Sequence, residues 1–226
     1  MSKLKPLVLI FYSICGLMVL LIVAGMTPSL NPNYPETLKA LIEESSVPNL
    51  TATIYLKNRL YDTIFEVFVF SIAVSGVWLY MKKLESTEEI VFISETPAVI
   101  SGRIAAALSF IIGVHLALWG HLSPGGGFAA GVAGGTGLVL IAITGDLEKT
   151  WRRYEALKLE AVEKFVLMII PVMFILMIAG YDLPEGRFGY VLSGGSIPLL
   201  NLLIFFKVMV GTWLVSYVFI KHRGIL

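Results

Sequence analysis

The sequence predicts an all-α, polytopic membrane protein with six transmembrane helices, and three observations predict it. The chain of 226 residues is 57% hydrophobic and 15% charged, where soluble domains run at about 45–50% and about 25%. Its apolar residues gather into runs of about 20, the length at which a helix crosses a hydrocarbon core of about 30 Å. Proline, glycine and charge are concentrated between the runs. Inside lipid every backbone N–H and C=O must be satisfied within the spanning element, so these runs are expected as helices.

In chain order the spans fall at 7–25, 60–81, 102–120, 127–145, 163–180 and 197–220. The first follows a basic start at Lys3 and Lys5. It is longer than a signal-peptide core of about 7–15 residues and lacks a clean small-x-small cleavage site, so it stays as a span. Residues 26–58 form a connection with four prolines and a short amphipathic turn, ETLKALIEE, whose Leu38, Leu41 and Ile42 share one face. Residues 82–101 are a charged linker that separates a two-span region, 1–90, from a four-span region, 95–226. Pro171 is expected to kink the fifth span.

Twelve of the 17 basic residues fall on the side of the amino terminus, against Lys39, Lys57, Arg59 and Arg187 on the other. By the positive-inside rule both termini are cytoplasmic, in a multi-pass protein of the cell membrane. Lys207 alone is basic and mid-span. A net charge of +1 with loop-borne lysines provides no basic face for nucleic acid. One cysteine, Cys15, excludes an intramolecular disulfide and an iron–sulfur cluster. No metal site and no cofactor is expected, and the chain reads as non-catalytic.

Between the third and fourth spans stands 119-WGHLSPGGGFAAGVAGG-135. Pro124 fixes φ, and Gly125, Gly126 and Gly127 can take positive φ, which suits a tight hairpin. Gly127, Gly131 and Gly135, at i, i+4 and i+8, form a small-residue stripe on which the third span is expected to close. The alternative uses the free N–H groups opening the fourth span beside His121, making that histidine a titratable gate. A P-loop is excluded because no strand precedes the glycines and no Gly-Lys-Ser/Thr follows. His115 is expected to be a packed interfacial or core histidine.

Charges inside the apolar runs are the second signal. Arg59, Asp62 and Glu66 lie at i, i+3 and i+7 on one face of the second span. Arg59 and Asp62 suit an interfacial ion pair. Glu66 lies roughly 10 Å farther along the helix than Arg59, where a carboxylate must meet a partner or water, or hold a proton. It is the candidate for an ion or proton pathway. Lys207 is either an ion pair with a neighbouring subunit that fixes assembly, or a member of a relay.

GHLSPGGGFAAG, followed by 197-IPLLNLLIFFKVMVGTWLV-215, resembles the B subunit of Mrp-type multisubunit cation/proton antiporters over residues 97–226. That family carries a Gly-His-x-x-Pro-Gly-Gly-Gly-Phe hairpin, matched here through Phe128, and a later Asn and Lys in its last span. Ala129 and Ala130 stand where Gln-Gly is usual. NLTATIYLKNRLYDTIFE resembles the carboxy-terminal part of the A subunit, with Arg59, Asp62, Thr63 and Glu66 matching its motif. Tyr61 replaces Phe there, and Lys57, Leu60 and Phe65 depart from the usual residues.

The resemblance implies an accessory membrane subunit that couples sodium or another cation to proton translocation. Its partners would be other membrane subunits in the lipid bilayer. The fused order of the two pieces is similar to archaeal membrane-bound hydrogenase and sulfane sulfur reductase complexes, which implies a peripheral redox arm on another chain. The alternatives are a subunit of a free-standing sodium/proton antiporter and a purely structural helix-packing subunit. Other rivals are a self-contained channel or carrier and an intramembrane hydrolase using Ser123 or Ser193 with a histidine.

Overall fold

A computed structural model describes residues 34–81, 83, 93–145 and 147–222, together with ten positions between 10 and 25. Among the described residues every regular element is helical. The first expected span lies largely outside them, as do Lys3, Lys5 and Arg223 of the topology argument and residues 82 and 84–92 of the linker.

The amphipathic turn of the long connection is helix α1, Tyr34–Ser45. Asn49 caps the short α2, Leu50–Thr53, accepting from the Ala52 N–H at 3.4 Å. A π-helical turn, Ile54–Asn58, leads into α3, Leu60–Met81. Helices α4, Thr96–Trp119, and α5, Gly127–Ile143, flank the glycine hairpin. Helix α6, Leu147–Ala156, escapes a hydropathy reading because half of LEKTWRRYEA is charged. Helices α7, Leu159–Ile178, and α8, Ile197–Lys221, complete the bundle. Helix α4 starts six residues before its expected span, because Pro97 sits in its first turn, where a missing N–H costs nothing. Helix α7 continues through Pro171, which is buried within it.

Four helices, α3, α4, α7 and α8, are long and apolar enough to cross a membrane, and α5 is an apolar helix of 17 residues. The chain is a multi-pass membrane protein. Helix α8 is its axis: 56% of its apolar window is buried within the chain, against 11% for α4. The outward face of α4 shows Ile104, Leu108 and Ile111.

The glycine stripe corrects one expectation. A Cβ on Gly127 would come within 2.7 Å of the Asn201 oxygen, and one on Gly131 within 2.9 Å of the Phe205 oxygen. One on Gly135 would come within 3.1 Å of the Met209 oxygen. The stripe therefore closes on α8 rather than on α4. Helix α4 uses the adjacent small face of α5, where a Cβ on Gly113 would come within 2.8 Å of the Ala130 oxygen. The Ser109 hydroxyl donates to the Ala133 carbonyl at 2.7 Å across that seam. With Gly, Ala and Thr on both faces, α5 fits between two helices as a thin middle layer.

Helix α7 runs antiparallel to α8. Val166, Leu167, Ile170 and Phe174 pack in one cluster with Leu200, Ile204 and Val208. At the far end from the hairpin, Trp151 of α6 stacks on Trp78 of α3 and on Tyr217 of α8, with ring centroids 5.6 and 4.2 Å apart.

Candidate ion-handling site

The hairpin is held by a residue that sequence reasoning missed. The Asn49 side chain donates to the Gly120 carbonyl at 2.7 Å and the Ser123 carbonyl at 2.9 Å, and its backbone N–H donates to the His121 carbonyl at 3.1 Å. Its signal was its place after Pro48, at the start of a helical turn. Of the three hairpin glycines only Gly126 takes a positive φ, 131°. Gly125 and Gly127 serve close approach instead, to Leu116 and to α8.

Helix α5 opens with four N–H groups that lack intrahelical partners. The Gly126 N–H donates to the Leu116 carbonyl at 3.3 Å and the Gly127 N–H to Asn201 Oδ1 at 3.0 Å. This helix start faces Asn201 and a cavity of about 270 Å³. The cavity is also lined by Tyr55, Thr63 and Glu66. Glu66 thus joins the hairpin glycines and Phe128 at one site.

Arg59, Asp62 and Glu66 share a face as their spacing required, lining a shallow groove of about 480 Å³ with Tyr55, Phe65 and Val69. Arg59 and Asp62 form an ion pair, and the carboxylate raises the pKa of the exposed guanidinium above its ordinary value. Glu66 has no ion pair among the described residues and is exposed on the surface of the chain. Thr63, from the same motif, is buried and donates to the Tyr55 carbonyl at 2.7 Å, tying α3 to the preceding π-turn.

His121 stands apart from the cavity. It is fully buried, and its Nε2 lies 3.4 Å from the Tyr190 carbonyl oxygen. Only a ring N–H can donate to that oxygen, which leaves Nδ1 as an acceptor without a partner among the described residues. Burial lowers its pKa, with the backbone carbonyls of Tyr190 and Val191 opposing that shift. The free helix start opens toward Glu66 and Asn201 rather than beside this histidine. The Ser193 hydroxyl is also buried, and among the described residues it has no partner; the Ser123 hydroxyl donates to the Trp119 carbonyl, so neither is hydrogen-bonded to a histidine there. His115 stacks on Trp119 at 5.1 Å on the outer face of α4.

Lys207 is fully buried and pairs with Glu163 of α7. A partner within the same chain replaces the expected one on a neighbouring subunit, because the antiparallel register of α7 and α8 brings the two residues level. The Lys207 ammonium also lies 5.3 Å from the Phe70 ring centroid. Glu163 was missed because it sits at the very edge of its apolar run. The buried Tyr154 phenol of α6 is pushed up in pKa first by burial and then by Glu163 and Glu160. Among the described residues no three His, Cys, Asp or Glu side chains converge to hold a metal ion.

Comparison with known proteins bears on the family and the fold. An uncharacterized protein of Methanocaldococcus jannaschii is 26% identical over 246 aligned positions, covering 93% of this chain and 89% of that protein. The fold is shared with a chain of the membrane-bound sulfane sulfur reductase, an archaeal respiratory membrane complex. The TM-score is 0.68 at 23% identity, covering 98% of this chain and 99% of that one. It is shared too with a chain of the Mrp complex from Dietzia sp. DQ12-45-1b, at TM-score 0.61 and 17% identity, where 93% of this chain spans 25% of the other. Residues 97–214 match the domain related to the MnhB subunit of the Na+/H+ antiporter, and by that match over more than half its length the chain belongs to this family.

Proposed function

We propose that the chain is a non-catalytic membrane subunit of an antiporter-like module, in which a cation or proton passes beside Glu66. Sodium is the expected cation, and a redox arm carried by other chains is the expected source of energy. The bundle is read with six spans, counting 7–25 and α5, with both termini cytoplasmic and the glycine hairpin on the outer face of the cell membrane. The single observation that carries the reading is the position of Glu66. It lies about 9 Å along α3 from its start, exposed beside Val69 and in line with Ile72, themselves 66% and 71% exposed. Facing lipid, a carboxylate costs at most about 2.5–3.5 kcal/mol on insertion scales, the value at a helix centre. A partner subunit that covers this face, and supplies a proton or cation to the carboxylate, removes that cost.

Family membership and the fold shared with two multisubunit membrane complexes support this reading. The test is capture of the intact complex through this chain from native membranes, followed by mass spectrometry. Co-purification of antiporter-type membrane subunits is expected, together with no ion transport by the chain alone in liposomes. A chain that purifies alone and transports ions in liposomes is a self-contained carrier.

A further inference from the structure

Helix α6 packs Leu147, Trp151 and Tyr154 inward, and what Trp151 touches fixes the depth of the helix. Its ring stacks on Trp78, three residues before the end of α3, and on Tyr217, four before the end of α8. At about 1.5 Å per residue those contacts lie only about 4–6 Å inside the helix ends. Helix α6 is thereby held level with the last turns of the spanning helices, where hydrocarbon gives way to headgroups and an amphipathic helix rests in the membrane plane.

Arg152 and Arg153 are both exposed on the outward side of α6, and neither forms an ion pair among the described residues. From Leu147 to Lys158 the chain carries four basic residues against two acidic ones, Glu148 and Glu155. Lys221 comes to the same end of the bundle, its ammonium 5.8 Å from the Tyr217 ring centroid. Apolar surface continues from these cations. The Leu157 N–H donates to the Arg153 carbonyl at 3.0 Å, so Leu157 follows one helical turn after Arg153, and it is 66% exposed. Past Lys158, the exposed Val162 and Phe165 open an outward face of α7 that runs on to Val172 and Leu176. A single exposed leucine is ordinary. One that extends the apolar face of a spanning helix up to a pair of arginines has the pattern of a membrane-surface contact, with cations at the phosphates and apolar side chains among the acyl chains. A guanidinium fork matches two phosphate oxygens at once, and the net positive charge favours a lipid with a net negative headgroup.

We infer that Arg152 and Arg153 bind the phosphate of an anionic phospholipid whose acyl chains lie along Leu157 and the outward face of α7, so that the lipid holds α6 at the membrane boundary. On the proposed topology that lipid belongs to the cytoplasmic leaflet, the leaflet with the negative surface potential. Glu66 takes no part in this contact.

The test uses the complex captured through this chain and reconstituted in vesicles of mixed phosphatidylglycerol and phosphatidylcholine. With p-benzoylphenylalanine in place of Leu157, illumination is expected to attach a phospholipid, with phosphatidylglycerol over-represented relative to its share of the vesicle. Attachment to a protein chain makes this face a subunit contact and overturns the inference, as does the absence of any adduct or a lipid adduct without that excess. This arm keeps both arginines, so it decides even where their variants fail to assemble. In the second arm, phosphatidylglycerol is added to the detergent-solubilised complex and bound lipid is counted by native mass spectrometry. Arg152→Gln/Arg153→Gln is expected to weaken one site about 25-fold, at about five-fold for each cation near an anionic surface. Inorganic phosphate is expected to leave the lipid in place. Equal binding by the two proteins, or displacement of the lipid by phosphate, overturns the inference.

Discussion

The Lys207–Glu163 pair gives a quantitative test of the α7–α8 packing. Lys207 has no exposed surface, while the Glu163 side chain keeps 16%. Removing one partner of a buried pair leaves the other charge uncompensated, at a cost of about 3–5 kcal/mol. Glu163→Gln leaves the wholly buried ammonium with the Phe70 ring, a contact that contributes only about 0.5–2 kcal/mol. This variant is expected at the upper end of the range. Lys207→Met leaves a carboxylate that still reaches solvent, so it is expected at or below the lower end. The double variant replaces both charges with neutral groups, and its loss is expected to be well below the sum of the singles. Unfolding of the chain in detergent, followed by tryptophan fluorescence across all four members of the cycle, measures the coupling. A coupling energy near zero, or Glu163→Gln as stable as wild type, would refute the intrachain pair.

Three further outcomes are expected. Gly131→Leu forces α5 away from α8, where even a Cβ would come within 2.8 Å of Val208 Cγ1. Overpacking of this kind typically costs about 1–3 kcal/mol or more, so the complex should lose thermal stability, and a normal melting profile contradicts the packing. His121 has a lowered pKa, so as pH falls the unfolded chain takes up its proton first. The stability contributed by the hairpin is therefore full above the ordinary histidine value of about 6.5 and falls below it. His121→Gln should flatten that part of the pH–stability curve, and an identical slope in the two proteins removes the histidine as its origin. Cysteines placed near Lys149 and His222 should be labelled from the cytoplasm and those near Glu43 and Glu185 from outside, and any one on the wrong side breaks the six-span topology.

Much of the bundle was legible because burial in lipid reduces to length and polarity. Helix α3 matches its expected span at both ends, and α5 and α8 begin at the residues where their expected spans begin. Pairings were less legible. A glycine stripe tells that some helix closes on it without telling which, and α8 rather than α4 occupies it. Lys207 announced a partner, but Glu163 emerges only from the register of α7 on α8. Helix α6 is amphipathic and charged, so hydropathy passes over it, while Trp151 docks it by stacking. Within the site, the shared face of Arg59, Asp62 and Glu66 followed from helical spacing. The junction of Glu66 with Asn201 and the hairpin joins segments more than 50 residues apart, which no local pattern records.

The most direct measurement is coupled ion movement by the reconstituted complex carrying Glu66→Gln, with Glu66→Asp beside it. Gln keeps the size and hydrogen-bonding capacity of the side chain but cannot titrate. Glu66→Gln is expected to assemble fully and to lose coupled transport, while Glu66→Asp retains part of it. An assembled Glu66→Gln complex that transports as well as wild type would reduce Glu66 to a packing residue and contradict its place in the pathway.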